Sequence, residues 1–259
     1  MIPIGDTTRA HGVPYVNYAL IAINAIVFLY EIALSGQNTV FLGVPVTELD
    51  RFIFHWGNIP ECTLDDLGIQ AARGVEAALV CREQPQPAST PLTAMFMHVG
   101  WAHILGNMLF LWVFGDNLED AMGHLLYAAF YLICGIGAAA AHGWVNQDSL
   151  TPAVGASGAV AGVMGGYILL FPRATVTAIV PPFFFLPLPI PAFLLIGIWF
   201  VLQIFGGFSE LAPTAEAGGG IAYFAHIGGF VAGVALVNVF ASNRRRIQRQ
   251  QAPRYRDYW

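Results

Sequence analysis

The chain has 259 residues, of which 56% are apolar and only 10% charged, and its mean hydropathy is +0.62. Because soluble globular domains carry about 25% charged residues, this composition excludes an ordinary soluble domain and predicts a multi-span membrane protein. The net charge of −5 is unevenly spread, since all eleven cations are arginines and six of them lie in the last sixteen residues.

Six apolar segments predict the spanning helices of an all-α membrane bundle, and we expect residues 1–259 to form one membrane domain. A spanning helix needs about 20 mainly apolar residues, and shorter ones are tolerated inside a bundle. The first segment lacks a clear small-residue cleavage site, so we interpret it as an anchor and not as a signal peptide. The segments are Pro14–Leu34, Trp101–Gly115, Gly123–His142, Ser157–Phe171, Pro191–Gly206 and Ile221–Ala241.

The loop at residues 35–91 is long and acidic, and its apolar and aromatic content favours an ordered outer cap at the membrane surface. Asp50–Trp56 and Leu64–Val80 are its amphipathic stretches. Cys62 and Cys81 lie in this loop and would pair if it faces an oxidising compartment. A second connection, Pro172–Pro191, carries six prolines, so no helix runs through it and we expect an interfacial cytoplasmic loop.

The arginines indicate the orientation, because cytoplasmic loops carry an excess of cations. With both termini inside, eight arginines are cytoplasmic, and Arg51, Arg73 and Arg82 are outside. Residues 1–13 are then a cytoplasmic N-terminus, and residues 242–259 are a basic cytoplasmic tail. Since that tail directly follows an apolar helix, we interpret it as a membrane anchor and expect no nucleic-acid partner.

Ser157 is a polar residue at the start of an apolar helix, in the sequence Gly155-Ala156-Ser157-Gly158. Polar groups inside a bilayer are costly and are functional candidates by default. Gly155 and Gly158 allow a tight turn and close approach of a substrate, and a helix N-terminus offers free N–H groups to an oxyanion. The alternative is a serine that merely joins two helices by a hydrogen bond.

His226 lies in a second apolar helix and is the candidate base for Ser157. Small residues recur every fourth position beside both side chains, and such faces let two helices approach closely. No carboxylate falls clearly in the outer halves of these helices, so we expect a Ser–His dyad, with Asp148 a weak candidate to orient the histidine. The recurring small residues are Gly158, Gly162 and Gly166 on one helix and Gly229 and Gly233 on the other.

A third cluster contains His98, His103 and Asn107. His103 and Asn107 are four residues apart and share one helix face, from which both can donate hydrogen bonds to developing negative charge. The alternative for each is an interhelical hydrogen bond. No HExxH motif is present, so metal-dependent hydrolysis is disfavoured and we expect no metal and no cofactor.

The motifs at 95–98, 103–108, 155–158 and 225–229, in this order, resemble those of the rhomboid family of intramembrane serine proteases from about Pro91 to Ala241. The resemblance implies a six-helix fold whose short fourth helix carries the nucleophile Ser157, with His226 as base and acid. It implies an oxyanion hole of His103, Asn107 and the Ser157 N–H, and structural roles for His98 and Glu119. The Phe171-Pro172-Arg173 sequence and the loop after it also resemble bacterial members. The absence of an Arg- and Ser-rich transit peptide favours the bacterial cytoplasmic membrane over the mitochondrial inner membrane, which is the alternative.

The resemblance also implies substrates that are single-span membrane proteins, cleaved among membrane lipids near the outer end of the span at small residues. The fifth helix and the cap would then gate lateral access. Two departures stand out: residues 87–90 replace a Trp-Arg pair that many members carry, and Ala161 replaces an aromatic that stacks on the histidine in some. Orientation of His226 then falls to Tyr223, Phe224 or another helix.

Two other functions stay open at this point. One is a catalytically inactive relative that binds membrane proteins, although that class usually lacks the serine or the histidine. The other is a transporter or channel, which typically shows paired intramembrane carboxylates or an inverted repeat. Glu31 is the only carboxylate well inside an apolar segment, so the pairing that a transporter requires is missing from the sequence.

Overall fold

The structure, a computed structural model, describes residues 1–8, 10–180, 186–210 and 221–241. The predicted basic tail, residues 242–259, lies outside the described residues. The elements in chain order are β1 (Ile2–Asp6), α1 (Tyr15–Leu34), β2 (Asn38–Phe41), β3 (Val44–Thr47), α2 (Glu48–Trp56), α3 (Pro60–Asp66), α4 (Gly74–Arg82), α5 (Thr90–Ala94), α6 (Trp101–Met122), α7 (His124–Val145), α8 (Ser157–Leu170), β4 (Thr175–Ile179), β5 (Pro187–Pro191), α9 (Ala192–Glu210) and α10 (Tyr223–Phe240).

The chain is a mostly helical membrane protein, as its composition predicts. Four described helices, α1, α7, α9 and α10, are each long and apolar enough to cross a membrane. The fourth apolar segment, α8, has only 14 residues, and every residue from Gly158 to Tyr167 is buried. It therefore forms the centre of the bundle, with α6, α7 and α10 packed around it.

Helix α6 continues seven residues beyond its predicted end at Gly115, and a polar residue in this extension caps a neighbouring helix. The Glu119 carboxylate accepts hydrogen bonds from the backbone N–H groups of Val16 (2.9 Å) and Asn17 (2.7 Å). These are first-turn N–H groups of α1, which have no partner within their own helix. Glu119 is 2% exposed and joins α6 to the start of α1, consistent with the structural role expected for it.

The prediction of an all-α fold is wrong in two places: β2 and β3 pair as an antiparallel hairpin within residues 35–91, and a second sheet lies at the bundle end opposite Ser157. Strands β1, β4 and β5 form an antiparallel sheet in that order, and β4 and β5 occupy much of the predicted Pro172–Pro191 loop. The prolines of β5 occupy every second position of an edge strand. Ala192 donates its N–H to the Ala174 carbonyl (2.8 Å), so the alternate residues Ile190 and Leu188 carry the ladder and the prolines do not interrupt it.

Residues 35–91 fold over the end of the bundle that holds Ser157. The predicted stretch Asp50–Trp56 lies in α2, where Thr47 and Asp50 form a capping box. The amphipathic stretch Leu64–Val80 covers the end of α3 and most of α4, which are separated where Gly68 and Gly74 have positive φ angles of 68° and 93°. An isolated antiparallel bridge between Asn58 and Ala153 joins this layer to the loop that precedes α8.

Cys62 and Cys81 form a disulfide within this layer, between α3 and α4. It closes a loop across 19 positions of the sequence, for which the loss of chain entropy in the unfolded state corresponds to about 3 kcal/mol. In the Cys62→Ser/Cys81→Ser variant, we expect the free energy of unfolding of residues 35–91 to be lower by about this amount. These residues should then become sensitive to limited proteolysis at a lower denaturant concentration. Reductant should lower the stability of the wild type and leave the variant unchanged; equal stability of both proteins would contradict the role of the disulfide.

Candidate active site

Ser157 follows a loop whose conformation requires a glycine at position 155. Gly155 has φ +133°, and its N–H donates to the Ala94 carbonyl at 2.9 Å. A Cβ atom at Gly155 would lie 2.7 Å from the ring of His103, so any side chain would displace that ring. The loop therefore turns directly into α8, of which Ser157 is the first residue.

Helices α8 and α10 approach through the glycine faces that the sequence predicts. A Cβ atom at Gly229 would overlap the Gly158 carbonyl, and one at Gly233 would overlap the Gly162 carbonyl. On its other side, Gly158 faces Ala138 of α7, whose Cβ would lie 2.5 Å from an added Cβ. The two backbones are therefore in direct contact, and this contact brings the start of α10 to the start of α8.

The Ser157 hydroxyl and the His226 ring are hydrogen-bonded as a result of this contact, with 2.8 Å between Oγ and Nε2. The other ring nitrogen, Nδ1, lies 2.7 Å from Oε1 of Gln203 on α9. The His226 ring also lies beside the indole of Trp199, with 5.9 Å between the ring centroids. Of the three alternatives expected for orienting His226, the third is the one observed: the partner comes from another helix.

Asp148, the weak candidate for orienting His226, makes a different contact. Asp148 accepts a hydrogen bond from Arg73 at 3.0 Å and lies in an exposed ion pair with it. The loop that carries Asp148 folds toward the residue 35–91 layer, where a charged side chain stays in contact with water. A carboxylate beside His226 would instead lose that contact, at the large cost of burying a charge.

Three hydrogen-bond donors are expected at the oxyanion hole: the side chains of His103 and Asn107 and the backbone N–H of Ser157. The His103 ring contacts Gly155, and Asn107 is one turn further along the same face of α6. Asn107 is buried, and within the described residues its Nδ2 has no hydrogen-bond partner. The N–H of Ser157, at the start of α8, has no acceptor within its own helix. Unpartnered buried donors are costly, so this arrangement favours a negatively charged ligand atom.

His98, for which the resemblance implies a structural role, makes a hydrogen bond through its backbone N–H and not through its ring. Its backbone N–H donates to both carboxylate oxygens of Glu31, at 3.2 and 3.1 Å. Glu31 lies at the end of α1 and is 1% exposed. Within the described part of the chain, neither ring nitrogen of His98 has a partner, and the ring packs 5.0 Å from that of His103. His98 therefore supports His103 by packing.

Sequence reasoning missed two side chains of the site, Gln203 and His142. Both are buried polar residues in apolar helices, the same signal that singled out Ser157 and His226. His142 lines a small cleft beside Ser157 whose other walls include Gly135, Ala138 and Ala159. Among the described residues, no three His, Cys, Asp or Glu side chains are placed to hold a metal ion.

Comparison with known proteins gives the class of protein to which this fold and site correspond. The family model of the Rhomboid domain matches residues 87–243, which include all of the site residues. The chain belongs to the rhomboid family. A relative from Arabidopsis thaliana, RHOMBOID-like protein 12, mitochondrial, is 32% identical over 150 residues, covering 50% of this chain and 43% of that protein.

A second relative, Rhomboid protein 1, mitochondrial, of Saccharomyces cerevisiae, is 30% identical over 160 residues. This match covers 60% of the present chain and 42% of the yeast protein. Rhomboid-like protein 11, chloroplastic, of Arabidopsis thaliana is 35% identical over 79 residues, or 30% of this chain and 28% of that protein. The chain thus spans less than half the length of these curated relatives.

Proposed function

We propose that the protein is an intramembrane serine endopeptidase that cleaves single-span membrane proteins by a Ser157–His226 dyad. The observation that carries this proposal is the 2.8 Å hydrogen bond between Ser157 Oγ and His226 Nε2 at the start of a buried helix. A serine hydroxyl is a weak nucleophile until an adjacent base removes its proton. Family membership supports the same reaction class.

In the proposed reaction, His226 Nε2 accepts the Ser157 proton while Oγ attacks the carbonyl carbon of the scissile peptide bond. The carbonyl oxygen becomes an oxyanion, which the Ser157 N–H, His103 and Asn107 stabilise. His226 then gives its proton to the leaving amine, and an acyl-enzyme remains. Water, activated by His226, hydrolyses that ester and restores the serine.

Small side chains line the cleft beside Ser157, which supports cleavage at small substrate residues. At Gly135, Ala138 and Ala159 the helices α7 and α8 pack closely, so the cleft between them is narrow. The scissile bond would lie near the outer end of the substrate's span, since α8 is short and Ser157 is at its end nearest the residue 35–91 layer. Access from the lipid would pass α9, the fifth apolar helix.

The proposed topology has six spans, with α6 and α8 as the two that do not reach the length and apolarity of a spanning helix on their own. Residues 1–8 and the connection from α8 to α9 share one sheet, so they lie at one end of the bundle. We place this end in the cytoplasm because of the arginine distribution. We propose that the membrane is the cytoplasmic membrane of a bacterium. The disulfide at the other end supports an oxidising exterior.

The test is cleavage of a fluorescent single-span substrate by the purified protein in liposomes, with the product masses giving the cleaved bond. We expect cleavage near one membrane surface by the wild type and none by Ser157→Ala. A folded wild type that binds the substrate and leaves it intact would contradict the proposal and indicate the inactive, binding-only relative instead.

Asn107→Ala is expected to lower kcat by about 10²–10³-fold, less than loss of the nucleophile, because His103 and the Ser157 N–H remain. The matched control is Asn24→Ala, which removes another buried asparagine, one whose Nδ2 donates to the Leu20 carbonyl of its own helix at 2.7 Å. The measurement is single-turnover cleavage per folded molecule. Equal rates for the two variants would remove Asn107 from the oxyanion hole.

A further inference from the structure

The His226 ring has two hydrogen-bond partners, and they lie on two different helices. Ser157 of α8 contacts Nε2, whereas Gln203 of α9 contacts Nδ1 at 2.7 Å. The dyad explains the first contact and leaves the second without a role. Gln203 is buried in a helix whose neighbouring side chains Val201 and Leu202 are exposed on the surface of the protein.

The orientation of the Gln203 amide determines which ring nitrogen of His226 carries the proton. Its Nε2 donates to the Trp199 carbonyl at 3.3 Å, one turn earlier in α9. A flipped amide would place Oε1 against that carbonyl, acceptor against acceptor, so the oxygen is the atom that faces the histidine. Only a protonated Nδ1 can donate to this oxygen. The neutral ring then has its lone pair on Nε2, toward the Ser157 hydroxyl.

A neutral amide is suited to this position because the position lies inside the proposed membrane span. In soluble serine proteases the third member is a carboxylate, and an amide there gives the wrong tautomer and a loss of about 10⁴-fold, since its NH₂ group faces the histidine. Here the Trp199 carbonyl holds the NH₂ group away. A neutral acceptor sets the same tautomer as a carboxylate would, without the cost of placing a charge inside the bilayer.

We infer that Gln203 is a positioning residue for catalysis, which holds His226 in the tautomer and orientation that can deprotonate Ser157; this inference rests on the proposed function. Gln203 occupies the role left open by Ala161, where an aromatic side chain could have stacked on the histidine. Because Gln203 lies on α9, the base is oriented only while α9 is packed against α10. Displacement of α9 removes the acceptor and deactivates the dyad.

The first experiment compares Gln203→Met with Gln203→Glu in the cleavage assay. Methionine fills the same space without an acceptor, so kcat should fall about 10- to 100-fold with little change in KM, as for one lost hydrogen bond to a buried group. Glutamate restores the acceptor and should keep kcat within about tenfold of wild type. Leu202→Met is the control on the exposed side of α9 and should cleave at the wild-type rate.

The outcomes separate this role from a structural one. If Gln203 only joined α9 to α10, Gln203→Met and Gln203→Glu would lose stability and activity together, and KM would change with kcat. If the wild type and Gln203→Met cleave the substrate equally fast, the positioning role is overturned and the proposed protease activity stands. Loss of kcat in Gln203→Glu as large as in Gln203→Met also overturns it.

The second experiment reads the tautomer directly and needs no activity. In ¹⁵N-histidine-labelled Ser157→Ala protein, the chemical shifts of His226 distinguish the protonated nitrogen from the nitrogen with the lone pair. We expect a proton on Nδ1 when Gln203 is present and a mixture of tautomers in Gln203→Met. A proton on Nε2 in the protein that retains Gln203 overturns the inference, whether or not the methionine variant folds.

Discussion

Ser157→Ala and His226→Ala are each expected to lower the cleavage rate by about 10⁴-fold or more and to leave the protein folded. Members of a nucleophile–base pair act as a unit, so removing either side chain removes nearly all of the chemical acceleration. The expected folding follows from the contacts, because the packing of α8 on α10 is made by glycines and not by these two side chains.

The measurement is labelling by a fluorescent fluorophosphonate in detergent, together with cleavage in liposomes. Labelling should be lost in both variants, because the reagent reacts only with a serine that a base has activated. Ser35→Ala is the control serine: its hydroxyl bonds to the Ile32 carbonyl at 2.8 Å at the exposed end of α1. Labelling of Ser157→Ala, or full activity of His226→Ala, would rule out the dyad.

Gly233→Ala is expected to destabilise the protein by about 1–3 kcal/mol and to lower its activity. The added methyl group would overlap the Gly162 carbonyl, which is part of the α8 backbone and cannot move without displacing the helix. Since the same contact sets the distance between Ser157 and His226, activity per folded molecule should fall as well. This prediction links helix packing directly to the catalytic geometry.

Gly197→Ala is the matched control for this substitution. It also places a methyl group on a glycine of an apolar helix, but nothing lies within 4 Å of the added atom. Its stability should change by less than about 1 kcal/mol. Both variants are compared by denaturant unfolding in the same detergent, followed by circular dichroism. Identical unfolding curves for Gly233→Ala and Gly197→Ala would show that the α8–α10 contact does not limit stability.

Much of the helical architecture could be predicted from the sequence, because a spanning helix must satisfy its backbone within one apolar segment. The helices that correspond to the six predicted apolar segments begin within two residues of their predicted starts. The end of α6 was less predictable, since the polar extension of this helix includes Glu119. This residue caps α1, and that contact joins segments that are distant in the sequence. The sheet of β1, β4 and β5 also depends on long-range pairing, which local apolarity does not reveal.

The sequence by itself determined the candidate nucleophile, base and oxyanion donors, because Ser157, His226, His103 and Asn107 are polar residues in apolar segments. It also determined that α8 and α10 can approach closely, since glycine spacing is a local property of each helix. Only the tertiary structure decided what orients His226. Gln203 is also a polar residue in an apolar segment, but the sequence does not say which helix it faces, and its 2.7 Å contact with His226 exists only because α9 packs against α10. A hydrogen bond between helices depends on how they are arranged, and that arrangement follows from the packing of the whole bundle.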